Sequence, residues 1–223
     1  MKIGLIGYGK TGKMVEKYAL SRGHEIVGVV TSKNSIDSLK DADICIDFSR
    51  PDSVMSNVRQ LAALGKSAVI GTTGWYEHLN HISDLVKESK IGLVYGPNFS
   101  IGIHIFNKIL EEAARLVGKH SQYDFAAIEE HHNQKIDIPS GTALKLSKTI
   151  LNASGKNVSF SSVRCGSIPG THTILFDSAA DTISLKHQVR NREGFAEGAV
   201  MAAEWLNGKT GIYSFEEIFS YLY

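Results

Sequence analysis

The chain has 223 residues, enough for one large domain or two small ones, and its hydrophobic fraction of 43% and charged fraction of 21% are those of a globular protein. Lys and Arg number 24 against 23 Asp and Glu, so no overall field recruits nucleic acid or an acidic membrane, although a local basic patch can hold a small anion. The opening run Ile3-Gly4-Leu5-Ile6 is too short for a signal peptide's apolar core, no stretch is long enough to span a bilayer, and the expected setting is a reducing cytoplasm. Residues 2–6 form a short apolar run that ends at glycine and predicts a strand. Residues 11–22 place Met14, Val15, Tyr18 and Ala19 at helical spacing, Gly23 stops that helix, and 25–30 return to a strand pattern. The alternation continues with strands over 43–48, 67–70 and 91–95 and helices over 51–64 and 76–89, Pro51 sitting at a first turn. Strands alternating with helices imply a parallel sheet covered on both faces. After Pro97-Asn98-Phe99 the rhythm changes. Helices over 101–117 and 142–153 are interleaved with strands over 123–130, 158–164, 171–176 and 182–189, which predicts a second unit with a mixed or antiparallel sheet. Helices over 193–206 and 215–222 close the chain.

Gly7-Tyr8-Gly9-Lys10-Thr11-Gly12 follows the first strand and opens the first helix. In that setting G-x-G-x-x-G is a dinucleotide fingerprint: the glycines permit a tight turn, close approach of backbone to a pyrophosphate and close helix–strand packing. The helix start adds free amides and partial positive charge. Lys10 lies either near phosphate or in solvent, solvent being favoured. The acidic residue that would bind the ribose hydroxyls of NAD is missing, because Val30 is followed by Thr31-Ser32-Lys33-Asn34. Either NADH or NADPH is therefore expected, with a lean to NADPH, whose 2′-phosphate Lys33 would pair; an ordinary polar loop is the plain alternative. Gly71-Thr72-Thr73-Gly74 and Gly96-Pro97-Asn98-Phe99-Ser100 follow the fourth and fifth strands, where open α/β sheets bind ligands, though glycine and proline alone would explain two surface turns.

The stretch richest in chemistry is His131-His132-Asn133-Gln134-Lys135-Ile136-Asp137-Ile138-Pro139-Ser140-Gly141-Thr142-Ala143. Imidazole and ammonium groups deliver protons near neutral pH, and the Ser-Gly-Thr turn opens a helix whose amides bind anions. A plain helix cap explains Ser140-Gly141-Thr142 equally well, and the two roles are compatible. If the strand continued, His131 and Lys135 would share a face and His132 would oppose them; a bend would change that. Asp137 either orients Lys135 or caps the turn. Adjacent histidines rarely reach one metal together and no cluster has zinc spacing, so no metal is expected. Cys45 lies in an apolar run and reads as a buried thiol, and it forms no motif with the distant Cys165.

This block, with the glycine loop, resembles the 4-hydroxy-tetrahydrodipicolinate reductase (dihydrodipicolinate reductase) family, and the resemblance runs over nearly the whole chain. It implies reduction of a cyclic imine dicarboxylate on the route to diaminopimelate and lysine. It assigns acid catalysis and substrate polarisation to His131 and Lys135, and substrate binding to His132, Lys135, Ser140, Gly141 and Thr142. It makes Gly71, Thr72, Thr73, Gly96, Pro97, Asn98 and Phe99 cofactor contacts beside Gly7, Tyr8, Gly9, Lys10, Thr11, Gly12, Thr31 and Lys33. Arg164 and His172 fall in a similar Arg-x-Gly…Gly-x-His pattern, where contact with substrate, a subunit interface and a plain polar turn are all open, and His187 fits a family position with an interface or structural role. The fold expected is α/β: a Rossmann-type doubly wound parallel sheet, residues 1–99 plus 207–223, binding the dinucleotide. An inserted α+β domain, residues 100–206, would bind substrate and build a homotetramer. The stretch between Val30 and Asp43 is short for the family, which touches the adenosine-end contacts. A semialdehyde dehydrogenase would share the glycine loop but lack the His-His-x-x-Lys block and need a reactive cysteine. A redox-sensing binding protein would need a DNA-reading helix that the sequence does not offer.

Overall fold

The computed structural model describes residues 1–222, without the side chain of Leu222; Tyr223, the end of the expected nucleotide domain, lies outside the described residues. Two compact units divide the chain, one of Met1–Ile101 with the segment from Arg192 onward, the other Gly102–Asn191.

The first unit is built on β1 (Lys2–Ile6), β2 (Glu25–Val30), β3 (Ile44–Asp47), β4 (Ser67–Ile70), β5 (Gly92–Tyr95) and β10 (Gly211–Ser214). Their order is β10-β5-β4-β3-β1-β2, and every pairing is parallel. Strands buried on both faces read as continuous apolar runs, and β3 is buried at every position. One face packs Leu5, Ile46, Val69 and Val94 against Val15 and Ala19 of α1 (Lys10–Ser21) and against α6 (Glu193–Leu206) and α7 (Phe215–Leu222). The other face packs Ile6, Cys45, Ala68 and Leu93 against α2 (Pro51–Ala63) and α3 (Leu79–Ser89), whose inward residues Val54, Val58, Leu61 and Ile82, Val86 follow helical spacing.

Two features depart from the sequence reading. Residues 193–206 were expected in the second domain, but α6 belongs to the first unit. Its small residues bring it close to the sheet. A Cβ on Gly198 would stand 1.9 Å from the Phe99 carbonyl oxygen, and Ala196, Ala199, Ala202 and Ala203 are fully buried. The Tyr18 hydroxyl of α1 donates to Glu197 at 3.1 Å. The second departure is β10, four residues with no alternation of their own, which become a strand by pairing with β5.

The second unit has the mixed sheet that the sequence predicts. It contains β6 (Asp124–His131), β7 (Phe160–Arg164), β8 (Thr171–Asp177) and β9 (Thr182–Gln188) in the order β7-β6-β8-β9. β6 and β7 are parallel, linked through α5 (Gly141–Ser154), and the remaining pairs are antiparallel. Leu110 and Ala114 of α4 (Ile101–Val117) and Leu146 and Ile150 of α5 bury Ala127, Ile174 and Phe176 of the sheet. Because side chains alternate along a strand, Glu129 and His131 share the inward face with Ala127, and His172 shares it with Ile174. Register then sets Ser162, Glu129, His172 and His187 in one row across all four strands. The apolar layer gives way to polar side chains at this end of the sheet. Among the described residues no helix is long and apolar enough to cross a membrane.

Candidate active site

In the first unit a groove of about 380 Å³ opens at the C-terminal ends of the strands, lined by Gly9, Lys10, Thr11, Gly71, Thr72 and Thr73, with Phe48, Ser49, Pro51 and Arg192. The three loop glycines serve different needs. Gly7 has φ 86° and donates its N–H to Val30 at 2.8 Å; a Cβ there would meet the Phe48 carbonyl at 2.3 Å. A Cβ on Gly12 would meet the Gly7 carbonyl at 2.2 Å. Gly9 is not crowded: beyond its own chain neighbours, no protein atom lies within 4 Å of the space its Cβ would take. Gly9 is also the N-cap of α1, without a side-chain cap, so the first amides of the helix are free of one. Open space over uncapped amides, with Arg192 donating to Thr11 Oγ1 at 3.5 Å beside them, fits the pyrophosphate of a dinucleotide.

Thr72 is drawn into the floor of the groove. Its hydroxyl donates to the buried Asp47 at 3.0 Å and accepts from the Ser49 amide at 2.8 Å, while Asn57 donates to the other Asp47 oxygen at 2.8 Å. Lys10 is exposed at the rim, and the Tyr8 hydroxyl donates to Glu16. Thr31 and Lys33 stand exposed past the end of β2 and do not line the groove; Thr31 accepts from the Lys33 amide at 3.3 Å and donates to Asn34 at 3.0 Å. Gly96, Pro97, Asn98 and Phe99 do not line it either. Phe99 is a core side chain, 1% exposed, with its ring 4.5 Å from Phe215 and 6.3 Å from Phe48. Asn98 accepts from the Ser100 amide at 2.8 Å and so shapes the entry to the next helix. Arg192, Phe48 and Ser49 escaped the sequence reading. Phe48-Ser49 does follow a strand end, which is a usable signal, whereas Arg192 lies far away in sequence and had none.

In the second unit the end of β6 gathers the proton chemistry. The strand stops at His131, and the chain bends: the Lys135 amide donates to the His132 carbonyl at 3.1 Å. Lys135 and His131 are therefore not neighbours on one extended face. The Lys135 ammonium pairs with Asp137 at 2.8 Å, and the other Asp137 oxygen accepts from the Gly141 amide at 3.3 Å, so Asp137 does both jobs left open for it. Ser140 caps α5 by accepting from Ala143 N at 3.1 Å. Space beside Gly141 is open to 4 Å. The Ile138–Pro139 peptide is cis.

Glu129, which the sequence reading passed over, sits at the centre. It is fully buried and accepts from the Ser140 amide at 3.1 and 3.2 Å, Ser162 Oγ at 2.7 Å and Arg164 Nη2 at 3.0 Å. Arg164 also donates to the Asp137 carbonyl at 2.7 Å. Burial alone would push the Glu129 carboxyl up, but the bonds from Ser140, Ser162 and Arg164 outweigh it and hold the pKa at about 2. Burial pushes His131 below its ordinary value, and the charges of Lys135 and Arg164 add to this while Glu129 opposes it. His172 is pushed down to about 4, by burial first and then by His131. Burial lowers His187 as well. Donor atoms of Glu129, His131 and His172 lie within 4.8 Å of one another, a grouping that spacing along the chain does not reveal. Arginine, hydroxyl and amide donors already occupy the carboxylate, and the two imidazoles stand beside it at 3.4 and 3.8 Å. Cys45 is buried with its thiol pushed up to about 12, the wrong setting for a nucleophile; Cys165 is exposed.

Two family models divide the chain between them. Residues 1–99 match the one described as dihydrodipicolinate reductase, N-terminus, and residues 102–219 the one described as dihydrodipicolinate reductase, C-terminus. The chain belongs to the dihydrodipicolinate reductase family. It is 33% identical to the 4-hydroxy-tetrahydrodipicolinate reductase of Christiangramia forsetii, over 100% of this chain and 99% of that one. It is 35% identical to the Ralstonia pickettii protein of the same name, over 86% and 79%. Among solved structures it resembles dipicolinate-bound dihydrodipicolinate reductase from Paenisporosarcina sp. TG-14, with TM-score 0.82, 24% identity and coverage of 98% and 99%. A probable dehydrogenase from Thermotoga maritima shares the fold at TM-score 0.67 and 11% identity, over 100% of this chain and 93% of that one. Family membership makes this chain an oxidoreductase that works with NADH or NADPH, and the groove over Gly9 has the form such a coenzyme needs.

Proposed function

We propose that the protein reduces 4-hydroxy-tetrahydrodipicolinate to tetrahydrodipicolinate, with loss of water, on the route to diaminopimelate and lysine in the cytoplasm, and that it works as a homotetramer. The observation that carries this reading is the meeting, at one end of β6, of a buried imidazole, an ammonium group and the Ser140-Gly141-Thr142 turn that starts α5. Reduced nicotinamide, when bound, supplies the hydride. The chain's own side chains do the rest. His131 gives the proton that the reduced ring needs. Lys135 polarises the ring, and together with His132, the Gly141 and Thr142 amides and the Ser140 and Thr142 hydroxyls it holds the two carboxylates. Asp137 keeps Lys135 beside that turn. The backbone from Gly7 to Gly12, with Arg192 and the Thr72–Thr73 loop, holds the coenzyme. Thr31 and Lys33 lie toward the adenosine end, where the lack of a carboxylate after Val30 favours NADPH over NADH. Gly96, Pro97, Asn98 and Phe99 support the nicotinamide end by shaping the strand-to-helix junction.

The test is direct. Purified protein given freshly made substrate should oxidise NADPH, and NADH more slowly, and should sediment as a tetramer. Oxidation of neither coenzyme would end the reading, and a monomer at assay concentration would end its oligomeric part.

A further inference from the structure

We propose that Glu129 is a positioning residue for this reaction: one buried carboxylate holds the Nδ1 side of the His131 ring and, through the Ser140 amide, the anion-binding turn, so that proton donor and substrate grip are set by a single group. The inference rests on the reading above.

Chain geometry brings the groups together. Glu129 and His131 are two apart on β6 and so share its inward face. Oε2 of Glu129 faces His131 Nδ1 at 3.4 Å and His172 Nε2 at 3.8 Å. Nδ1 of His131 is buried and has no hydrogen-bond partner, although a buried polar nitrogen without one is costly. A separation of 3.4 Å is long for a hydrogen bond, as catalytic contacts commonly are before substrate draws them in. The opposite nitrogen, Nε2, lies against Gly170: a Cβ there would stand 3.1 Å from it, so the glycine puts no side chain on that side of the ring. Nδ1 is thus the nitrogen to be held and Nε2 the nitrogen to deliver. A carboxylate at Nδ1 fixes the ring's tautomer and orientation and stabilises the imidazolium from which Nε2 donates.

The same carboxylate is well anchored. Arg164, Ser162 and the Ser140 amide fix its two oxygens from β7 and from the start of α5, and a movement of Glu129 displaces both His131 and the turn. The charged and titratable groups around His131 are Glu129 on its own strand, Lys135 and Asp137 in the following bend, Arg164 on β7 and His172 on β8, whose ring lies 5.3 Å away. Of these, Glu129 is the carboxylate aligned with the ring nitrogen.

The test pairs Glu129→Gln with Glu129→Asp in the full-length protein, adding nitrogen NMR of the histidines in the wild type. Glu129→Gln should lower kcat/KM by about 10²-fold and raise the KM for substrate, with the NADPH dissociation constant unchanged. Because the donor must be protonated, the alkaline limb of kcat/KM reports His131; removing the carboxylate should move that limb down by about one pH unit, and Glu129→Asp should restore it in part. In the wild type the neutral His131 ring should carry its proton on Nδ1. A Glu129→Gln enzyme as active as the wild type, or a weakened one whose alkaline limb has not moved, overturns the proposal. Should Glu129→Gln fail to fold, the tautomer decides: a proton on Nε2 of neutral His131 also overturns it. A wild-type protein that oxidises no coenzyme with this substrate would instead sink the reading of function.

Discussion

His131 and Lys135 stand four apart in sequence, yet the fold treats them differently. His131 is fixed in a strand with 7% of its surface exposed, whereas Lys135 sits in a bend, tied to Asp137 and partly open to solvent. A buried donor works through its protonation state and a tethered cation through its charge, so the two substitutions should differ in kind. His131→Gln is expected to lower kcat by about 10²- to 10⁴-fold with little change in substrate KM. Lys135→Ala should lower kcat and raise KM together. Neither should change NADPH affinity, measured by fluorescence titration, and wild-type rates in both would remove the mechanism. The block carrying these residues could be read from sequence because its members are local: a bend, a proline and a helix cap fall within thirteen positions. Glu129 could not be read in the same way. Its partners Ser140, Ser162, Arg164 and His172 come from three other elements, brought to it by strand register and by the start of α5. Sequence periodicity gives the face a residue uses and says nothing of which strand lies beside it.

At the level of elements, the glycine loop and α1 separate two needs that the sequence motif merges. Gly12 is a packing glycine, since any Cβ collides with the Gly7 carbonyl, while the space beside Gly9 is clear of protein. Gly12→Ala should therefore cost about 1–3 kcal/mol of stability, read by denaturant unfolding. Gly9→Ser places a good capping residue at the start of α1 and should hold stability within about 0.5 kcal/mol. It should still weaken NADPH binding at least about tenfold, roughly 1.4 kcal/mol, because its side chain enters the space left for phosphate. Equal effects on folding and binding in the two variants would contradict the division. Strands and helices themselves were legible nearly to the residue, because buried parallel strands and amphipathic helices leave separate periodicities. β10 left none, since four residues at an edge take their conformation from β5. The placement of α6 was hidden too: alanines and glycines suit any close packing, and composition does not say against what.

For the whole molecule, the buried polar row makes stability depend on acid. His172 has a folded pKa of about 4 against an ordinary 6.5, so its contribution is complete above pH 6.5 and is lost as pH falls through 4. Glu129, held at about 2, keeps its contribution until pH falls below 4.5 and loses it toward 2. Each effect is on the order of 3 kcal/mol at full extent. Denaturant midpoints should accordingly drop between pH 6.5 and 4, and His172→Gln should flatten that drop; a midpoint constant over this range would contradict the account. The division of the chain also bears on how it is made. Residues 1–101 carry five strands of the first sheet, but the helix that seals one face of it, with Ala199, Val200 and Leu206 at its core, comes only after residue 192. On the ribosome, the ninety residues between are synthesised and free to collapse on their own hydrophobic centre while the earlier half waits with a bare apolar flank. That interval is when the nascent polypeptide is most exposed to clumping, and when a chaperone would have most to do.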